Sequence, residues 1–125
     1  MTDLYPVKKE DIEKAEKDLG FSFPSELRNF YLNHGYGFFT NNDIDFNRLM
    51  DPLSVADFRL KRNDYEYSEY PDEYAEFGSD KLVFFEVSEG YYYSIGISDS
   101  SKQKIFDGDQ VISDSLEKFI KSLSV

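Results

Sequence analysis

The stretch of residues 12–37 limits the possible folds more than any other part of the chain. Apolar side chains recur in it with helical spacing, in two separate runs. Gly20 follows the first run, where a helix end favours a residue that tolerates positive φ, and Pro24 begins the second, where its missing N–H is not needed. The sequence therefore predicts two short amphipathic helices, at residues 8–19 and 24–33. Their apolar faces are Ile12, Ala15 and Leu19 in the first helix and Leu27, Phe30, Tyr31 and His34 in the second.

The rest of the chain predicts short strands and then a closing helix. Capping-box patterns predict helix starts at Ser54 and Asp114, because an acidic residue follows each three positions later. Strands are predicted at 38–40, 44–46, 81–87, 92–98 and 104–106, a turn at 41–43, and helices at 54–62 and 114–123. This order predicts a single α+β domain over residues 1–125. Its mainly antiparallel sheet carries the N-terminal helix pair and the C-terminal helix packed on one face.

A specific set of residues runs through the two predicted helices. It consists of Ile12, Glu16, Leu19-Gly20, Phe23-Pro24, Phe30-Tyr31, Gly35 and Gly37. This set resembles the opening of the SUKH superfamily, which includes bacterial immunity proteins against polymorphic toxins and fungal regulators of cell-wall assembly. The similarity continues more loosely through residues 52–55, 82–85, 91–97 and 112–123. His34 stands where the family often has Asn, and Glu89-Gly90-Tyr91 stands where it often has Gly-Asp.

Several kinds of chemistry find no support in the sequence. The chain has no Cys, so it has neither disulfides nor thiolate ligands, and its one histidine, His34, has no nucleophile and acid beside it to form a catalytic set. Asp43-x-Asp45-x-Asn47 begins like a calcium loop, but the sixth position holds Arg48 and the twelfth Ser54, instead of Gly and Glu. We therefore expect a protein that is not an enzyme and that has no metal or other cofactor.

The N-terminus and the short apolar runs predict a cytoplasmic protein, and the length is enough for one folded domain. At 125 residues, a single domain can bury about two-thirds of its unfolded surface. The N-terminus lacks the apolar stretch of a signal peptide. The longest apolar run, at residues 82–85, is far shorter than the ~20 residues that span a bilayer.

The net charge of −11 is concentrated in one segment. Residues 63–80 contain seven acidic and no basic residues, which gives −7. Direct binding to nucleic acid or to an anionic membrane is disfavoured, because both need Lys and Arg. A basic protein partner is favoured instead.

Residues 63–80, here called the acidic segment, are the candidate partner-binding surface. Tyrosines alternate with the acids, and they offer large contact areas at low entropic cost. The alternative is a solvated loop whose aromatic rings pack onto the core. The candidate binding residues are Asp64, Tyr65, Glu66, Tyr67, Glu69, Tyr70, Asp72, Glu73, Tyr74 and Glu76.

The family resemblance implies a function for such a surface. It suggests an immunity protein, expected to be monomeric, that binds and neutralises a cognate bacterial toxin. The acidity of the chain fits a basic toxin domain such as a nuclease. The fungal members suggest the alternative, a scaffold or regulatory adaptor that has no toxin partner.

Overall fold

Among residues 3–39 and 46–123, seven short strands lie side by side in chain order and form one antiparallel sheet. The structure is a computed structural model, and it describes residues 3–39 and 46–123. Within those residues the strands are β1 (Asp3–Tyr5), β2 (Tyr36–Phe38), β3 (Arg48–Leu49), β4 (Lys81–Ser88), β5 (Tyr91–Gly96), β6 (Ile105–Asp107) and β7 (Gln110–Ser113). The helices are α1 (Lys9–Leu19), α2 (Ser25–Asn33), α3 (Pro52–Leu60), α4 (Tyr70–Ala75) and α5 (Leu116–Leu123), with a 3₁₀ turn at Asn63–Tyr65. The predicted α+β class with a mainly antiparallel sheet is confirmed.

The predicted N-terminal helix pair is also confirmed, with the expected residues at its joint. α1 ends where Gly20 adopts a φ of 85° and donates its N–H to the carbonyl of Glu16 at 2.9 Å. The backbone N–H of Phe23 then donates to the Glu16 carboxylate at 2.8 Å. Pro24 directly precedes α2. Glu16 thus holds the extended link to the end of α1.

Helices contact both faces of the sheet, whereas the sequence predicted them on one face. Neighbouring residues of a strand point to opposite faces, so Tyr92 and Tyr93 of β5 mark the two sides. The ring centroid of Tyr93 lies 5.7 Å from that of Phe119 in α5. The ring of Tyr92 lies 4.8 Å from that of Phe58 in α3. The sheet is therefore covered by α5 on the Tyr93 side and by α3 on the Tyr92 side.

The closing helix begins later than predicted, because an additional strand precedes it. Residues 110–113 form β7, and only residues 116–123 are helical. Gly108, at a φ of 61°, allows the tight turn that folds β7 back onto β6. Asp114 is not the helix cap: the N–H of Lys118 donates to Ser115 Oγ at 3.2 Å, and that of Leu116 to a Glu26 carboxylate oxygen at 3.1 Å.

The region between the helix pair and α3 also differs from its prediction. Among the described residues, the strands here are Tyr36–Phe38, which begins two residues before the strand predicted at 38–40, and Arg48–Leu49. The predicted turn at 41–43 and most of the strand predicted at 44–46 lie outside the described residues. The predicted capping box at Ser54 is wrong, because α3 begins at Pro52 and is capped by Asp51.

Replacing Asp51 with Ala is expected to destabilise the protein by about 1 kcal/mol, the usual cost of a lost N-cap. One Asp51 carboxylate oxygen accepts the N–H of Ser54 at 3.2 Å and the other accepts its hydroxyl at 2.6 Å. Asp51→Asn keeps an acceptor and should cost less. Urea denaturation of the variants measures the difference. A Ser54→Ala variant that loses more stability than Asp51→Ala would show that the cap is assigned to the wrong residue.

Candidate partner-binding surface

Three of the predicted binding tyrosines pack the acidic segment onto α3 and the sheet. The ring centroid of Tyr65 lies 5.1 Å from that of Phe58, and those of Tyr70 and Tyr74 lie 6.0 and 5.4 Å from that of Tyr92. The backbone N–H of Tyr92 donates to Tyr74 Oη at 2.8 Å. All three tyrosines are half-buried. They hold the segment in place, and removing a ring would therefore also cost stability.

The other predicted site residues face the solvent. Tyr67 is 90% exposed, which makes it the accessible tyrosine among the four proposed. The six predicted acids are all exposed: Asp64, Glu66, Glu69, Asp72, Glu73 and Glu76. Asp72 is paired with Lys61 at 2.6 Å, and within the described residues the other five form no ion pair. The structure thus separates an outer layer of acids and Tyr67 from an inner layer of packed rings.

A charged network that the sequence analysis missed lies beneath this inner layer. Arg48 of β3 and Glu86 of β4 form an ion pair at 2.9 Å, with side chains only 23% and 14% exposed. Burial lowers the pKa of Arg48, but the electrostatic interactions with Tyr65 and Glu86 outweigh the effect of burial and raise this pKa overall. Burial raises the pKa of Tyr92 above its usual range. The network joins β3 to β4 below the acidic segment. Its sequence signal was Glu86, a charged residue directly after the apolar run of β4.

Two tight turns of the sheet approach the acidic segment. One lies at Tyr70 in α4, and the other lies at Phe77, two residues after α4 ends. A Cβ placed on Gly90, in the β4–β5 turn, would lie 2.9 Å from the ring of Tyr70. A Cβ placed on Gly108, in the β6–β7 turn, would lie 3.1 Å from the ring of Phe77. Both glycines also have positive φ, so the close approach and the turn require the same residue. The acids of these turns, Glu89, Asp107 and Asp109, are thereby brought to the same end of the sheet as α4.

The Tyr91 hydroxyl donates to Asp107 at this end of the sheet, with oxygen distances of 2.7 and 2.8 Å to the two carboxylate oxygens. This hydrogen bond, with a smaller contribution from burial, raises the pKa of Tyr91 to about 12. The bond exists only while the phenol is protonated. It connects β5 to the end of β6, and it orders a tyrosine that is otherwise exposed.

We expect Asp107→Asn to lower the pKa of Tyr91 towards 10, the ordinary value for a phenol. The folded state holds the Tyr91 proton more tightly than the unfolded chain, so this contribution to stability is complete below pH 10 and is lost as the pH rises through about 12. NMR titration of the Tyr91 ring carbon measures the pKa. Asp109→Asn, two residues away in the same turn, is the matched control. An unchanged Tyr91 pKa in Asp107→Asn would contradict the assignment.

Three surface cavities of the described structure lie outside the outer acidic layer. One, of about 250 Å³, is bordered by α3, α4 and β4 and is lined by Phe58, Arg59 and Tyr74 among others. A second, of about 360 Å³, lies between α2 and α5, with His34 on its edge. The largest of the three, of about 560 Å³, is lined by the link between α1 and α2 and by residues after β5. Among the described residues, no serine hydroxyl lining these cavities is hydrogen-bonded to a basic side chain.

In the part of the chain that the structure describes, no group of three or more His, Asp and Glu side chains could hold a metal ion. Asp43 and Asp45, the first acids of the calcium-like pattern, lie outside the described residues.

None of the described helices has both the length and the apolar character needed to cross a bilayer.

Comparison with known proteins identifies the family of this chain. The family model SUKH_6, SMI1-KNR4 cell-wall, matches residues 9–124, and the chain belongs to that family. The chain is also 47% identical over 123 residues to a protein of Bacillus subtilis (strain 168) named Immunity protein YxxD. That alignment covers 97% of this chain and 82% of the relative. No solved structure matches the chain.

Proposed function

We propose that this chain is an immunity protein that binds a cognate bacterial toxin and neutralises it. The similarity to Immunity protein YxxD over nearly the whole chain supports this function. The action is stoichiometric and needs neither catalysis nor a cofactor. The protein acts in the cytoplasm as a monomer.

The observation that carries the proposal is the outer layer of the acidic segment. Five exposed acids without an ion pair in the described structure, together with the exposed ring of Tyr67, lie on a base of packed tyrosines. A surface fixed in this way loses little conformational freedom on binding, so more of the contact energy remains for affinity. Its charge attracts a basic surface and accelerates encounter. The toxin domain is accordingly basic, and a nuclease, which must itself bind phosphates, fits this requirement.

A second candidate function follows from the family description, which refers to SMI1-KNR4 cell-wall proteins. In this alternative, the same surface belongs to a scaffold or regulatory adaptor, and its partner is not toxic. The two functions require the same kind of basic protein surface and differ in what the partner does to cells.

The test is to purify the tagged full-length protein from its native cells and identify any protein bound in equal amount. The identified partner is then expressed in a susceptible bacterium with and without this chain. We expect the partner alone to stop growth and the chain to restore it. A stoichiometric partner that is harmless when expressed alone would support the adaptor and overturn the immunity function.

A further inference from the structure

The strand β7 forms an open edge of the sheet. In the order of the seven strands it is the last, and within residues 3–39 and 46–123 it is paired on one side only, with β6. Alternate residues of such a strand direct their backbone N–H and C=O groups away from the neighbouring strand. These groups remain available to another strand, which is the hazard that edge strands of natural proteins usually guard against.

β7 is only four residues long and pairs with β6 through a register shift at Ile112, but it lacks the charged and proline residues that usually protect an edge strand. Its residues Gln110, Val111 and Ile112 are exposed, with Val111 at 43% and Ile112 at 40%. The strand contains no Pro, no Lys and no charged side chain of either sign. Edge strands that must avoid pairing typically carry such residues. β7 therefore offers both hydrogen-bonding groups and apolar β-branched side chains for contact with an added strand.

The charges at the two ends of β7 argue against a second copy of this chain as the added strand. In an antiparallel pair of two copies, the register that places Val111 opposite Ile112 also places Asp109 opposite Asp114. Like charges directly opposite each other destabilise a strand pair. Each copy also carries a net charge of −11, which adds repulsion.

The same charges favour a basic partner strand. Asp109 and Asp114 are exposed and flank β7 at its two ends, and only Asp114 has an ion-pair neighbour in the described structure, Lys118 at 3.9 Å. An extended segment with apolar residues at its centre and Lys or Arg at both ends would match the strand and both acids. The β6–β7 turn also contacts Phe77 at the end of the acidic segment, so the edge continues the proposed binding surface.

We propose that β7 binds an extended, basic-ended segment of the protein partner as an eighth strand of the sheet. This inference rests on the proposed function for the kind of partner, since it assumes a basic toxin. It adds a second element to the interface: the acidic segment attracts the partner, and β7 fixes its register through backbone hydrogen bonds.

The test uses the full-length protein, labelled with ¹⁵N, and a synthetic peptide long enough to cover β7. The peptide alternates Val and Thr and has one Lys or Arg beyond each end. The control peptide has the same sequence and charge but carries N-methyl groups on alternate residues, which remove the hydrogen bonds of one strand edge. We expect the first peptide to shift the β7 amide signals and to slow their hydrogen exchange. N-methylation should weaken binding by about tenfold or more, because several hydrogen bonds are lost together.

Two variants of the protein sharpen the result. Val111→Lys places a positive charge on the edge and should abolish the β7 shifts, whereas Val111→Thr keeps a β-branched residue and should preserve them. Shifts confined to the acidic segment, or equal binding of both peptides, would overturn the strand-addition proposal. A dimeric mass of the free protein would also overturn it, by showing that a second copy occupies the edge. These results do not depend on whether a toxin is found, so failure of this proposal and failure of the immunity function remain distinguishable.

Discussion

Replacing Phe85 with Ala is expected to remove ~3–5 kcal/mol from the free energy of unfolding, the usual cost of truncating a fully buried Phe. Phe85 of β4 has no solvent exposure. Its ring centroid lies 5.0 Å from that of Phe119, in an edge-to-face arrangement, and 6.1 Å from that of Tyr93, in a stacked one. The truncation would leave a cavity at the point where α5 meets the sheet.

The matched control is Phe30→Ala on α2. The sequence analysis placed Phe30 on a buried helix face, but the structure shows it half-buried at the edge of the cavity between α2 and α5. We therefore expect a smaller loss, roughly 1–2 kcal/mol. Urea denaturation of both variants gives the comparison. Equal losses, or a loss below about 1 kcal/mol for Phe85→Ala, would show that α5 does not pack on the sheet as described.

Local patterns were sufficient to predict the helix pair and the central hairpin. The spacing of Ile12 and Leu27 within their apolar runs and the glycine after α1 fix those helices almost to the residue. The apolar run of β4 and the turn at Gly90 likewise predict β4 and β5. In each case, the deciding interactions connect residues that are close in the chain, and a sequence displays these directly.

The strand β7 and the start of α5 could not be predicted from local sequence patterns. Residues 110–113 pair with β6 across a turn that depends on Gly108, and the strand then leads directly into α5. Asp114 and Glu117 fit a capping box, but the first amides of α5 are satisfied by Ser115 and by a carboxylate from α2. A hydrogen-bond acceptor that comes from a distant helix cannot be recognised in the sequence next to α5. The start of the helix was consequently placed at the wrong residue.

The charge of the candidate surface could be predicted from the sequence, but the burial of its tyrosines could not. Composition located the excess of acids, because charged side chains without partners remain in solvent. The positions of Tyr65, Tyr70 and Tyr74 are decided by Phe58 and Tyr92, which lie outside the acidic segment. The structure therefore has packed rings below, as the solvated-loop alternative predicted, and exposed acids above. Whether the exposed layer binds a partner stays a prediction.

Neutralising the exposed acids of α4 and its flanks is expected to slow association with the proposed toxin partner about tenfold or more at low salt. The variant changes Glu69, Glu73 and Glu76 to Gln. Asp72 is left intact because Lys61 already neutralises much of its charge locally. Charges at an exposed surface act mainly before contact and are screened beyond ~8 Å at physiological ionic strength. The association rate should therefore fall, and its dependence on salt should become weaker.

The control must separate local charge from total charge. A second variant changes Glu10, Glu13 and Asp99 to their amides, which lowers the net negative charge by the same amount at exposed positions on α1 and in the loop after β5. If the acidic segment steers the partner, this variant should associate nearly as fast as the parent. Equal slowing in both variants would mean that the partner responds only to the overall charge of the protein.

Tyr67 is expected to act after contact, in contrast to the acids around it. Its exposed ring can be removed with little loss of stability, whereas Tyr70 and Tyr74 cannot be tested in this way because their rings support the fold. If Tyr67 enters a pocket of the toxin, Tyr67→Ala should speed dissociation and cost ~2 kcal/mol of binding, with an unchanged association rate. Surface plasmon resonance with the purified toxin resolves the two rates, and thermal melts confirm that the variant is folded. Parent-like binding by both Tyr67→Ala and the triple Gln variant would remove the acidic segment from the interface and direct attention to Glu89–Tyr93, or to the end of α2 near His34.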